Sequence, residues 1–574
     1  MRRAVLLYFL VILSENLAAS NKPRRTVFFQ DVNLKLFKES GFDSLSSLMI
    51  RDDFGQLVVG ARAKVITLSL DDISKKTSEA KWSVSPADKA LCIMKGKDTE
   101  ECDNFIRTLH TMGDGKMLVC GTNAFNPSCD NMNFTNGKIS LEGKIEVGRG
   151  KVPFEPYQHF ASLMDGNTLY SAASSNFLGT ELVFQRHGLN PLKTEMKRSW
   201  FNEPTMISIS LVEVSKNSRD GEDDNLFLFF TENAVEERRD NIQVSRIARV
   251  CKSDLGGKRT LQKKWTSFMK ARLDCPFGDV GSPCITDELR ASGVMTSLNF
   301  TDQTLLFAKN HPLMEGSGHT NNRQASADFG WLQKAVKFDG EDGRVIEELQ
   351  LFQTPQPVNF LQLSSKTGQL YSSGSNVVVQ VNVRDCSRYT SCDDCLIARD
   401  PYCGWDQIRD QCSSVVGASL GSMIQSWSDG DIRMCPISEL KNPAIVHLTI
   451  RVAQFLQCSP ETNLPIIWRF SGNILLPSAR HTVLDQGLII RPSFSDSGLY
   501  TCETVEIVKS KVHRKIVVQY MVQVQDVNTV VRNLWKTVIT LAVFAFASLL
   551  LFLSTTVIRH LKAKEQNHTD CGTV

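Results

Sequence analysis

Between Cys386 and Cys412 the chain reads CSRYTSCDDCLIARDPYCGWDQIRDQC, five cysteines in twenty-seven residues, and Cys435 follows nearby. So dense a cluster leaves two physical options. Thiolates can hold zinc in a reducing compartment, or disulfides can staple a segment too small to bury a core of its own. The compartment decides between them, and the two ends of the chain report it.

The start is Met1-Arg2-Arg3, an apolar run from Ala4 to Leu13, then Leu17-Ala18-Ala19-Ser20. This pattern predicts a signal peptide over 1–20, because the run is too short to cross a bilayer. Thr537 to Ile558 carries no charge and is long enough to span, and Arg559, His560, Lys562 and Lys564 follow at once. Positive charge just past a span stays in the cytosol. The expectation is a single-pass type I protein of the plasma membrane, with a span over 537–558 and a tail over 559–574. Fifteen of the sixteen cysteines then lie on the oxidising side, which favours disulfides over zinc. Cys571, in the tail, is expected as a free thiol. A net charge of only +3 argues against a nucleic-acid partner.

The long N-terminal part reads as short runs of β-formers, such as Leu57–Gly60, Val65–Leu68, Met117–Cys120, Leu226–Phe230, Gln369–Tyr371 and Val377–Val381. Clusters such as Gly113-Asp114-Gly115 and Asp165-Gly166-Asn167 punctuate them, the pattern of many antiparallel strands. Long amphipathic helices are scarce, with the best candidate near Leu261–Arg272. A mostly β fold of this length fits a propeller better than a sandwich, because radial blades protect their edges.

Motifs then sharpen the reading. They include CIMKGKDTEECDNFIR from Cys92, CGTNAFNPSC from Cys120, Asn176-Phe177-Leu178-Gly179-Thr180, Trp200-Phe201-Asn202-Glu203-Pro204, the stretch 245–275 and His311-Pro312-Leu313-Met314. In this order they resemble the sema domain of semaphorins, here 24–385. The cysteine cluster, with Ala398-Arg399-Asp400-Pro401-Tyr402-Cys403-Gly404-Trp405, resembles the PSI module that follows it, here 386–436. The resemblance implies a seven-bladed propeller, a homodimer, binding to plexin receptors and no cofactor. It also implies the pairs Cys92–Cys102, Cys120–Cys129, Cys251–Cys284, Cys386–Cys403, Cys392–Cys435 and Cys395–Cys412. The usual partner of Cys275 falls in a stretch this chain lacks, which leaves Cys275 unpaired. The sema-like part is short, about 360 residues. The segments around Cys275-Pro276-Phe277 and between Met314 and Gly330 are thin, so about two blades' worth of strands is expected to be absent or reduced.

Residues 441–526 hold Cys458, Trp468 and Tyr500-Thr501-Cys502. A tryptophan on a buried disulfide and a tyrosine two before the second cysteine mark an immunoglobulin-like sandwich, with Cys458 bridged to Cys502. Almost no stalk separates it from the span. This layout most resembles class 4 semaphorins, associated with plexin-B receptors and with guidance and cell-migration signals. The alternatives are a shortened isoform acting as a decoy, or an adhesion module signalling inward. Asn133-Phe134-Thr135 and Asn299-Phe300-Thr301 are glycosylation sequons. Lys258-Arg259 with Lys263-Lys264 is read as a solvated face, with heparan sulfate as the alternative. No nucleophile elbow, zinc-protease motif or phosphate loop occurs, so an enzyme is not expected. The receptor-contact residues are not legible.

Overall fold

The computed structural model describes residues 23–566 except 216–222, 235–241, 274–295, 298–303, 310–329, 337–343, 365, 419–420, 428, 437–441 and 510. The expected signal peptide at 1–20, Cys275, Cys284, Asn299, the motif at 311–314 and Cys571 lie outside the described residues. The chain divides into two compact units, residues 1–434 and 435–574.

In the first unit, antiparallel sheets follow one another along the chain as blades. The first runs Ser47–Arg51, Gln56–Ala61, Lys64–Ser69 and Lys76–Lys81. The second runs Ile106–Thr111, Met117–Gly121, Ser128–Thr135 and Lys138–Leu141; the third Ala161–Asp165, Thr168–Ser174, Leu182–Arg186 and Leu192–Lys193. The fourth holds Thr205–Val212, Asn225–Asn233, Gln243–Cys251 and Met269–Arg272. The fifth holds Thr296–Ser297, Thr304–Lys309, Trp331–Val336 and Arg344–Gln350, and the sixth Phe360–Ser364, Gln369–Ser373 and Val378–Asn382.

The start of the chain completes the last two blades. Leu34–Phe37 pairs antiparallel with Val378–Asn382, and Arg25–Val27 pairs parallel with Arg344–Gln350. Both would otherwise be open strand edges. The first strand of each blade adjoins that of the next from the sixth blade through the first to the fourth, and again from the fifth to the sixth.

The burial pattern explains why the strands read as continuous apolar runs. In Gln56–Ala61 every residue is buried. Leu57 and Val59 face Tyr371 and Val378 of the sixth blade, while Val58 faces Ile106 and Val119 of the second. A strand covered on both sides keeps no polar alternation. Each such side chain contributes about 1.5–3 kcal/mol by leaving water.

Six blades are present among the described residues, against the seven the resemblance implies, and the first strand of the fifth is two residues long. One expectation needs correction. Leu261–Arg272 is not a helix: Leu261 and Lys263 are left-handed, with φ of 54° each, and Met269–Arg272 is a strand. Trp265, fully buried against Phe184 at 5.2 Å between ring centres, overrides the local helical pattern. Cys251 carries a free thiol, and Cys284, its expected partner, lies outside the described residues. Cys251 sits at the end of a strand of the fourth blade, and the stretch that holds Cys284 lies beyond the last described residue of that blade.

The cysteine-rich segment packs a helix, Cys392–Ala398, on strands Cys403–Asp406, Gln411–Ser414 and Met423–Ile424. Bridges Cys386–Cys403 and Cys395–Cys412 hold it. Buried ion pairs join it to the fifth blade and its added strand. Asp394 accepts from Arg24 and Arg25 at 2.7 Å each, Glu347 accepts from Arg388 at 3.1 Å, and Lys334 donates to Asp400. Glu348, the neighbour of Glu347, instead accepts from Gln333 at 2.8 Å, so the two carboxylates do not act together.

The second unit is a two-sheet sandwich. One sheet orders Ala444–Thr449, Lys511–Gln525, Gly498–Val508, Ile466–Phe470 and Asn473–Ile474; the other orders Gln454–Gln457, Gly487–Ile490 and His481–Leu484. Cys458–Cys502, Trp468 and Tyr500 form its core. The buried hydroxyl of Tyr500 has no hydrogen-bond partner among the described residues. A capping box between Ser493 and Asp496 makes the turn before it. The chain passes from this sheet into a helix over Val527–Gln566, of which Leu534–Arg559 is long and apolar enough to cross a membrane.

Candidate functional site

Strand direction fixes which loops share a face. Each blade runs down, up, down and up, so the loop between its second and third strands and the link to the next blade emerge together. That places 82–105, 122–127, 148–160 and 175–181 on one face. On the other face, the amide of Gly113 donates to Asn167 Oδ1 at 2.8 Å, joining the first turns of the second and third blades.

The link 82–105 folds into a helix over Pro86–Met94. Ser85 caps it by accepting from the Asp88 amide at 3.1 Å, and Pro86 starts it with a preset φ. The helix buries one residue, Cys92, and Cys92–Cys102 ties it down. Lys89 adds an ion pair to Asp103 at 2.7 Å. Leu91, Ile93 and Met94 are left exposed, Met94 to 77%.

Beside it, Cys120–Cys129 closes a hairpin in which Asn123, Ala124 and Phe125 are all left-handed, with φ of 41°, 55° and 56°. Such backbone costs roughly 1–2 kcal/mol per residue outside glycine and persists only where the surroundings over-determine it. Here the disulfide and the ring of Phe125 do so. Phe125 and Phe154 lie 5.6 and 6.3 Å from Phe177, and Lys97 sits 4.5 Å from the Phe125 ring centre and 5.5 Å from that of Phe177.

Loop 175–181 is fixed from below. The Arg107 guanidinium donates to the carbonyls of Pro156 and Gln158, and burial lowers its pKa to about 10, so it stays charged near neutrality. Gln158 donates to the Gly179 carbonyl at 2.7 Å and accepts from Ser174. Gly179 has φ of +71°, and a Cβ there would meet Gln158 at 2.9 Å, so only glycine fits without strain. Next to Phe177, Leu178 is left 77% exposed.

The result is a rigid face with exposed apolar side chains rimmed by Lys95 and Lys97. Chemically it offers area for docking. Among the described residues no group of three or more His, Cys, Asp or Glu side chains is arranged to hold a metal.

The predicted cysteines divide between this face and the rest. Cys92, Cys102, Cys120 and Cys129 build it, while Cys386, Cys395, Cys403 and Cys412 serve the cysteine-rich segment and Cys458 and Cys502 the sandwich. Cys392 and Cys435 are each disulfide-bonded. Asn133 lies in an inner strand of the second blade, half-buried, its amide donating to Glu142 at 3.2 Å. The helix 86–94 was not anticipated, although Ser85-Pro86-Ala87-Asp88 carries a start signal.

A family model described as "PSI: Plexin repeat" matches residues 385–436. Human Semaphorin-4D is 33% identical over 646 aligned positions, covering 92% of this chain and 74% of that protein. Mouse Semaphorin-4C is 30% identical, covering 84% of this chain and 72% of that protein. Among solved structures, Drosophila Semaphorin 2a matches with a TM-score of 0.63 at 18% identity, covering 88% of this chain and 99% of that chain. A chain of the Drosophila Plexin A–Semaphorin 1b complex matches with a TM-score of 0.51 at 20% identity, covering 71% of this chain and 98% of that chain. These last two support the fold. The 646 positions use 92% of 574 residues, about 528, so about 118 positions of human Semaphorin-4D face no residue here.

Proposed function

This chain belongs to the semaphorin family, and from that premise we propose that it is a cell-surface ligand for a plexin receptor of the B type. It acts as a homodimer anchored by the span at 537–558 in the plasma membrane, with residues 24–526 outside the cell. Its output is a guidance or migration signal in the receptor-bearing cell, and it transforms no substrate. The carrying observation is the 33% identity to human Semaphorin-4D across 92% of the chain. The Drosophila Semaphorin 1b complex with Plexin A is the precedent for a plexin partner.

On this reading the face built on helix 86–94 and loop 175–181 meets the receptor. Its exposed Leu91, Met94 and Leu178 supply apolar area, and its pinned backbone lowers the entropy lost on docking. The test is binding of soluble plexin-B ectodomain to cells displaying the full chain. Binding that falls with Leu91→Asp, Met94→Asp and Leu178→Asp at equal surface level supports it.

A specific observation favours a second reading. Six blades among the described residues and about 118 unmatched positions support a shortened ring. If the displayed, folded chain binds no plexin-B yet suppresses signalling by a full-length relative, it acts as a decoy.

A further inference from the structure

The fourth blade carries a long excursion, residues 252–268, between its last two strands. It leans back on the edge of the third blade. Lys193 and Lys263 join through a backbone hydrogen bond of 3.1 Å, and the Trp265 amide donates to the Lys193 carbonyl at 3.2 Å. The excursion is firmly built. Arg186 donates to the carbonyls of Lys252 and Asp254 at 2.9 and 2.8 Å. Asp254 points inward and accepts from Gly256, Thr266 and Ser267; these bonds outweigh burial and lower its pKa to about 2. A Cβ on Gly257 would fall 1.7 Å from the Thr260 carbonyl oxygen, so the turn closes only on glycine.

This construction brings two basic segments together that are sixty residues apart in sequence. Lys193, Lys197 and Arg198 come from one; Lys258, Arg259, Lys263 and Lys264 come from the other. Within these segments the one acid is Glu195, which takes Lys197 at 2.6 Å and Lys264 at 2.7 Å. Lys193, Arg198, Lys258, Arg259 and Lys263 are exposed, and no ion pair involves them among the described residues. A solvated charge run normally intersperses both signs. Here the fold collects one sign from two elements on a fixed backbone, with left-handed Leu261 and Lys263 turning the loop outward.

We propose that this rim binds a sulfated glycosaminoglycan. A linear polyanion matches this patch, because several cations held apart on a rigid edge engage successive sulfates rather than one phosphate. The matrix position follows from the extracellular placement argued above. Plexin docking is assigned to different loops, so the two readings fail separately.

The test uses the full chain in neutral phosphatidylcholine nanodiscs, with three probes: heparin, chemically desulfated heparin, and phosphatidylserine vesicles. Heparin binding is expected, weakening steeply with salt. The triple variant Lys258→Ser, Arg259→Ser, Lys263→Ser is expected to weaken it by about a hundredfold. A control removing three exposed lysines elsewhere, Lys38, Lys81 and Lys144, leaves it unchanged. Glu195→Gln frees Lys197 and Lys264 and is expected to tighten binding, which a misfolded protein cannot imitate. Equal loss in the control, equal affinity for desulfated heparin, or binding to vesicles alone would overturn the proposal.

Discussion

The helix Pro86–Met94 depends on one covalent bond to a degree that can be measured. At nine residues it is shorter than the roughly 12–15 an isolated helix needs. It buries only Cys92, so packing adds little. The Ser85 cap contributes about 1 kcal/mol. The Cys92–Cys102 bridge spans ten residues, for which loop-closure entropy gives about 3 kcal/mol. Replacing both cysteines with alanine therefore removes most of what holds the helix. Its local opening constant should rise by about a hundredfold, at about 1.4 kcal/mol per decade. Hydrogen exchange on the full chain in nanodiscs reads this directly. Amides of 89–95 should exchange much faster, while those of Met117–Gly121, in the blade core, stay protected. Plexin binding should fall at constant surface level. Unchanged exchange in 89–95 would refute the claim that the bridge, rather than packing, fixes the helix.

Lys334→Met leaves Asp400 buried with one partner fewer and should destabilise by about 3–5 kcal/mol, while adding Asp400→Leu should restore much of it, as read by thermal unfolding. Burial lowers the pKa of His110 and His187 to about 4, where Ser162 and Ser171 hold their rings. The unfolded chain therefore takes up these protons first as pH falls from about 6.5 towards 4, removing up to about 3 kcal/mol per histidine, and a His110→Gln denaturation series should be less steep over that window. Tyr500→Phe removes a hydroxyl without a partner, so it should leave stability unchanged or raise it, against a loss of about 1 kcal/mol if a corner hydrogen bond existed. Asn133→Gln should abolish one glycosidase-sensitive mobility shift, which tests the sequon on the second blade.

The strands were legible because burial on both sides writes an apolar run into the sequence, as in Gln56–Ala61. The Cys–Trp–Tyr–Cys set of the sandwich was legible because its members share one core. Three things were not. The helix 86–94 faces solvent, so it has no apolar stripe to betray it, and only its capping residues mark it. The stretch 261–272 has helix-forming residues, but Trp265 is drawn into the core between the third and fourth blades and bends the backbone. Half of the basic rim, Lys258-Arg259 with Lys263-Lys264, shows in the sequence, but its union with Lys193, Lys197 and Arg198 does not, because Lys193 and Lys263 meet only after two blades have packed.

The shortening of the ring has a physical logic of its own. First strands of the early blades begin at Ser47, Ile106 and Ala161, spacings of 59 and 55 residues. The roughly 118 unmatched positions thus amount to about two such spacings, and the described residues hold six sheets against the seven implied by the family resemblance. Because each blade packs on its neighbours alone, loss of a whole blade spares every other interface, and propellers tolerate about four to eight blades. What such a loss strains is the junction it creates. The side of the ring where Leu34–Phe37 completes the sixth blade and Arg25–Val27 the fifth is fastened by Asp394 and its two arginines. Residues 25–37 therefore fasten the fifth and sixth blades, while the face carrying helix 86–94 and loop 175–181 is built on the first three.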